Sequence, residues 1–205
     1  MNFLAHLHLA RPEPTSRLGN LLGDFVHGRP DDRFSPSIWR GIVHHRRLDV
    51  FTDAHPSWRL SRSRLSPERV RFAGIVVDVF YDHFLSLHWE RFASDGESLE
   101  EFIGSCYADL REAGPLGPED ANVVIERMER QGWLASYASL DGIDQAMRRI
   151  SRRSPRFGAM TNSITDLEKN YAGFEADFLS FYPDAIARSN DLHLSAEEME
   201  SEPAL

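Results

Sequence analysis

The stretch Phe72-Ala73-Gly74-Ile75-Val76-Val77-Asp78-Val79-Phe80-Tyr81-Asp82-His83-Phe84-Leu85 constrains this chain more than any other. Wound as a helix, it is apolar around nearly its whole circumference, so the rest of the molecule must enclose it. Yet it carries Asp78, Asp82 and His83. Ionisable groups in an apolar setting need a partner, hydrogen bonds or a metal ion. Asp78 and Asp82 are four residues apart and share a helix face. At about 6 Å, two carboxylates repel by roughly 3 kcal/mol at an effective dielectric of about 20. A shared divalent cation would reverse that penalty; arginines or helix caps would also relieve it.

The remaining segments read as helices fit to surround such a core. Helices are expected over about 2–10, 15–28, 35–53, 66–92, 98–111, 119–131, 140–151 and 156–182, with a short one after Pro183. Pro12 and Pro14 stop the first, Gly28 and Pro30 the second, and Ser35-Pro36 supplies a cap and first turn for the third, with Pro56 past its end. No segment alternates with period two, and no repeat is present. The expectation is an all-α, single-domain helical bundle over 1–194 with a frayed acidic tail over 195–205. The 205-residue length suits one domain.

Composition narrows the function. No apolar run reaches the roughly 18 residues of a membrane span, so no membrane partner is expected. Cys106 is the sole cysteine, which excludes an internal disulfide and makes a reducing cytoplasm the expected compartment. The formal charge of −9 argues against a nucleic-acid partner. Of 23 basic residues only Lys169 is a lysine. Arginine suits bidentate binding of carboxylate and phosphate. Two clusters stand out, Arg59, Arg62, Arg64, Arg69 and Arg71, and Arg148, Arg149, Arg152, Arg153 and Arg156. Composition does not set the oligomeric state.

The third helix holds a second constellation. Ile38 and Ile42 mark an inward stripe, and its continuation reaches His45, Asp49 and then Thr52/Asp53. Donor side chains thus replace hydrophobes along one line, as a site between helices requires. Histidine with carboxylate suits zinc, manganese or iron; carboxylates alone would suit magnesium. His44, beside it, is open to ligand and packing readings. On the second helix Asn20, Asp24 and His27 form a line that fits a site or solvent equally. A lone His6 on an apolar helix reads as a satisfied core residue. Phosphate-cradling glycine loops, His-Glu-x-x-His and paired cysteines are missing.

Four ordered motifs carry a family resemblance. They are Met1-Asn2-Phe3-Leu4-Ala5-His6-Leu7-His8-Leu9-Ala10, Gly19-Asn20-Leu21-Leu22-Gly23-Asp24-Phe25-Val26-His27-Gly28, Gly41-Ile42-Val43-His44-His45-Arg46-Arg47-Leu48-Asp49-Val50-Phe51-Thr52-Asp53, and Asp78-Val79-Phe80-Tyr81-Asp82-His83-Phe84-Leu85, with echoes at Trp133-Leu134 and Ser151-Arg152-Arg153. Together they resemble the acyl carrier protein phosphodiesterases, a divergent branch of the His-Asp metal-dependent phosphohydrolases. The adjacent pair here runs Asp82-His83, the reverse of that superfamily's order. The resemblance implies a divalent metal, manganese foremost, with magnesium or another transition metal as alternatives. It also implies hydrolysis of 4′-phosphopantetheine from its carrier protein.

On that reading Asp24, His45, Asp78, Asp82 and His83, or a subset, hold the metal. Asp24, Arg46, Asp49 and Asp53 are the catalytic candidates. Arg46 would neutralise a phosphoryl oxygen, and Asp49 or Asp53 would orient water or a ligating histidine. Arg59, Arg62, Arg64, Arg69 and Arg71 would dock the acidic carrier protein. The alternatives are hydrolysis of a nucleotide or other small phosphoester, and non-catalytic binding of a carrier protein.

Overall fold

In the computed structural model, residues 1–28, 33–94 and 96–201 are described, with side chains through Ser195. Helices α1 (Phe3–Leu9), α2 (Pro14–Leu22), α3 (Pro36–Ala54), α4 (Pro56–Ser63), α5 (Ala73–Leu87) and α6 (Trp89–Phe92) form the first half. Helices α7 (Leu99–Ala113), α8 (Glu119–Arg130), α9 (Trp133–Ser136), α10 (Leu140–Ser151), α11 (Ile164–Lys169) and α12 (Tyr171–Ser201) complete it. The described residues contain no strand. The molecule is a single all-α domain.

Helix α5 is the centre of this domain, as its composition requires. It packs against α1, α4, α10 and α12. Phe80, Tyr81 and Phe84 are fully buried and meet Phe174, Phe178 and Phe181 of α12 edge-on, tilted or stacked. Helix α2 lies against α3 at an approach only glycine allows. A Cβ on Gly19 would stand 2.3 Å from the Ile38 carbonyl oxygen and 2.8 Å from Gly41 Cα. That crossing brings the end of α2 alongside the middle of α3.

Three expectations change. Pro56 lies past the end of α3, as expected, but also starts an unanticipated helix: it occupies the first turn of α4, where a missing N–H costs nothing, and His55 Nδ1 accepts the Ser57 N–H at 3.2 Å. The long helix expected from Ser66 begins only at Ala73, after a single 3₁₀ turn at Val70–Phe72, and breaks at His88 before α6. Helix α12 continues through Pro183. Proline deletes one backbone hydrogen bond there, but Phe178, Phe181, Tyr182 and Ala185 are fully buried around it and hold the helix by packing. Its backbone extends to Ser201, across the start of the anticipated tail at 195; residues 202–205, like Pro30, lie outside the described residues. No described helix is long and apolar enough to cross a membrane.

Candidate functional site

The i, i+4 pair His45 and Asp49 places an imidazole and a carboxylate one above the other on α3, and His45 Nε2 lies 3.1 Å from Asp49 Oδ2. The other oxygen, Oδ1, is 3.0 Å from His6 Nε2 on α1. The two imidazoles stack with centroids 3.8 Å apart and planes 21° from parallel. Asp24, in the turn after α2, reaches His45 Nε2 at 3.5 Å. Gly23 permits this approach, because a Cβ there would fall 2.2 Å from His45 Cγ.

Electrostatics follow from this packing. Burial pulls His6 down to about 4, reinforced by the neighbouring His45. Burial also opposes charge on His45, but hydrogen bonds to Asp24 and Asp49 prevail and raise it to about 9. Asp49 stays ionised against burial because the Met1 ammonium and the histidines surround it. The same opposition, with His45 as the main partner, holds Asp24 below its ordinary value. One proton therefore sits on a pair of imidazoles that share one carboxylate.

His6, His45 and Asp49 can hold a metal ion. Their donor atoms all lie within 4.8 Å of one another, while ligands at about 2.1 Å around one ion stand about 3–4 Å apart. Two imidazoles with a carboxylate suit a transition ion or zinc. Nδ1 of His6 and Nδ1 of His45 are buried without a hydrogen-bond partner, so each ring makes its polar contacts through Nε2 on the cluster side. The histidine side chains are 3% exposed, whereas those of Asp49 and Asp24 are 38% and 49% exposed. The cluster is closed at the back by imidazole and open to solvent at the carboxylates.

Other anticipated residues are placed differently. Asp78 adjoins the cluster through the Met1 ammonium, which lies 3.1 Å from Asp78 Oδ2 and 3.4 Å from Asp49 Oδ1. Asp78 also accepts the Trp58 indole N–H at 3.3 Å, and burial raises it to about 6. Asp82, expected as a ligand, is fully buried and caps α1. Its oxygens accept the Leu4 and Ala5 N–H groups at 2.8 and 3.1 Å, and burial raises it to about 7. His83, also expected as a ligand, lies outside the group, its nitrogens bonded to Tyr137 O at 2.8 Å and Tyr171 Oη at 3.0 Å. A buried polar group takes the partners its own surroundings provide.

Asp53 is exposed one turn beyond Asp49. Arg46 donates to the Val26 and Gly28 carbonyls and so ties the turn carrying Asp24 to α3. His44 is a packing histidine, bonded to Asn20 Oδ1 and Ser189 Oγ, each at 3.0 Å. His27 is exposed. The arginine cluster divides: Arg64 pairs with Asp177 at 2.8 Å and Arg69 with Asp166 at 3.2 Å, while Arg59, Arg62 and Arg71 are exposed. His6 is the member of this candidate cluster that the sequence reading treated as a core residue. The signal present was its place in the first of the four motifs.

The acyl carrier protein phosphodiesterase family model matches residues 1–185. The chain belongs to that family. Among acyl carrier protein phosphodiesterases, the protein of Photorhabdus laumondii is 41% identical over 183 residues, covering 89% of this chain and 92% of its own. That of Serratia proteamaculans is 38% identical over 95% of this chain and all of its own length, and that of Escherichia coli O157:H7 is 40% identical over 93% and 98%. No solved structure matches. The matched residues span His6, His45 and Asp49 of the cluster and the neighbouring Asp24.

Proposed function

We propose that this chain is a divalent-metal-dependent phosphodiesterase that releases 4′-phosphopantetheine from holo acyl carrier protein. The observation that carries the reading is the convergence of His6, His45 and Asp49, with Asp24 beside them, in a member of a family whose relatives are named for that substrate. A group of imidazoles and carboxylates between helices also fits the wider resemblance to His-Asp phosphohydrolases.

His6, His45 and Asp49 would hold the ion, with manganese the foremost choice. When bound, such an ion supplies a water acidic enough to act as nucleophile near neutral pH and a counter-charge for the phosphoryl oxygens. The residues do the rest. His45 would give up its proton on loading, since a ligating imidazole must be neutral. Buried His6 is already neutral and ready to donate its lone pair. Half-exposed Asp24 faces the open side of the cluster, where it would orient the attacking water and accept its proton. Arg46 keeps Asp24 there by anchoring the following turn. Asp53, further out on the same helix and exposed, would contact an entering substrate.

Incubating purified protein with holo carrier protein and Mn²⁺, then measuring the carrier's mass, tests this. Conversion to apo carrier, abolished by a chelator and restored by Mn²⁺, is the expected result. Unchanged carrier alongside hydrolysed nucleotides would replace the proposal with a small-phosphoester hydrolase.

A further inference from the structure

The cluster and its neighbour Asp24 stand on three separate elements: His6 on α1, Asp24 in the turn after α2, and His45 with Asp49 on α3. The close packing partners of α1 are α2 and α5, whereas those of α3 are α2, α4 and α12. The helices that carry the two stacked imidazoles are therefore not each other's main support. Polar groups that bridge them set how the rings meet.

A second polar group, centred on His44, makes that bridge. His44 Nδ1 lies 3.0 Å from Asn20 Oδ1 on α2, and its Nε2 lies 3.0 Å from Ser189 Oγ on α12. Asn20 Nδ2 donates to the Ser16 carbonyl at 3.0 Å, which turns the amide oxygen toward His44. Ser189 Oγ is also 2.7 Å from the Leu9 carbonyl oxygen at the end of α1, and His193 Nε2 reaches the same oxygen at 3.0 Å. His193 stacks on His44, with centroids 4.3 Å apart and planes 6° from parallel. Asn20, His44 and Ser189 are all buried. Each attachment is about one helical turn or less from the cluster: Leu9 is the turn after His6, Asn20 the turn before Asp24, and His44 adjoins His45. Burial, then the nearby His193, His6 and His45, pull His44 down to about 3, so bridge and cluster lie within electrostatic reach of one another. Ser189 and His193 stand beyond residues 1–185, the span that the family model matches.

We infer that Ser189 is a positioning residue for the cluster: acting through His44, it holds α1, α2 and α3 in the mutual placement that stacks His6 on His45 with Asp24 beside them. This assignment rests on the metal-dependent reading and adds to it a support from α12. Metal donors must stand within about 0.5 Å of their working positions, and buried hydrogen bonds behind them supply that precision.

The test is Ser189→Ala in the full chain, with Ser61→Ala as its control. Ser61 is also buried and bonds Tyr81 Oη at 3.0 Å and Asp177 Oδ2 at 2.9 Å, which joins α4 to α5 and α12. The two variants should lose similar Tm by circular dichroism. Mn²⁺ affinity by electron paramagnetic resonance should fall about tenfold in Ser189→Ala and less than about twofold in Ser61→Ala. Parental affinity in Ser189→Ala, or an equal fall in both, would overturn the assignment. In a His44→Ala background Ser189→Ala should weaken Mn²⁺ binding no further, because the two act as one unit; an additive loss would remove His44 as the link and with it the assignment. The nuclear Overhauser effect between the His6 and His45 rings reads the stack without metal or turnover, and it should weaken in Ser189→Ala. If the parent binds no Mn²⁺, the metal reading fails while this ring contact still decides the positioning role: its loss supports the role and an unchanged contact removes it. Should Ser189→Ala not fold, His193→Ala, at the half-buried member of the same junction, takes its place with the same expected changes.

Discussion

Helices α3 and α5 both carry ionisable residues toward the interior, and they use their carboxylates in opposite ways. On α3, His45 and Asp49 meet His6 and Asp24 at a place where carboxylate remains open to solvent. Asp49 there is held ionised by the cations around it. On α5, Asp82 sits among apolar side chains. Burial raises it to about 7, and its two oxygens are spent on the N–H groups of α1. A carboxylate becomes a metal donor when it is kept ionised and exposed, and a structural cap when backbone donors enclose it. The second role serves the first, because α1 carries His6 one residue beyond the capped Ala5.

The largest expected effect tests the α3 half of that contrast. Asp49→Ala should reduce kcat/KM for holo carrier protein by about 10²–10³-fold or more, through loss of the group that both histidines share. Its circular dichroism should stay that of the parent, because the side chain is partly exposed. A loss below fivefold would move the reactive centre elsewhere.

Asp82→Ala probes the α5 half. It strands two buried N–H groups, worth roughly 2 kcal/mol, and should lower Tm by about 4–8 °C. Below the new Tm, Mn²⁺ affinity should fall about 10-fold through displaced His6, the scale of an outer-shell change. An Asp82→Ala protein with parental Tm but no metal binding would make Asp82 a ligand and erase the contrast.

The pH dependence of loading separates the two helices further. His45 is raised to about 9 in the metal-free protein, so a proton competes with the ion at neutral pH. Mn²⁺ affinity measured by electron paramagnetic resonance should rise with pH, approaching about tenfold per unit below 9 and levelling above it. The same proton stabilises the metal-free fold. That stabilisation is complete below the ordinary histidine value of 6.5 and is lost as pH rises through 9. A flat affinity profile between pH 7 and 9 would mean that His45 is not displaced from its proton by the metal. The smallest effect belongs to His83→Gln, which should change Mn²⁺ affinity less than threefold because its nitrogens face Tyr137 and Tyr171.

Much of this architecture is legible in the order of the residues. The apolar circumference of residues 72–85 demands a central buried helix, and α5 is one. The i, i+4 spacing of His45 and Asp49 puts both on one face of α3 whatever surrounds them, because helix geometry is local. The four motifs carry the family. Local rules also mislead where two readings of one residue compete: Pro56 serves a helix start as well as a stop, and Pro183 is tolerated when packing outweighs one lost hydrogen bond.

What only the tertiary structure decided is which distant groups meet. His6 is 39 residues from His45 in sequence, and nothing on α1 alone distinguishes a core histidine from a candidate donor; the docking of α1 beside α3 stacks it on His45. The fate of Asp82 turned on where the first turn of α1 lands, 77 and 78 residues away. Arg64 and Arg69 left the expected docking cluster because Asp177 and Asp166 arrive beside them from α12 and α11. Hydrophobic period and helix spacing are written in neighbouring residues, so the chain determined its helices and their inward faces. The partner of a charged side chain is set by the packing of whole helices, and that packing is a property of the folded molecule.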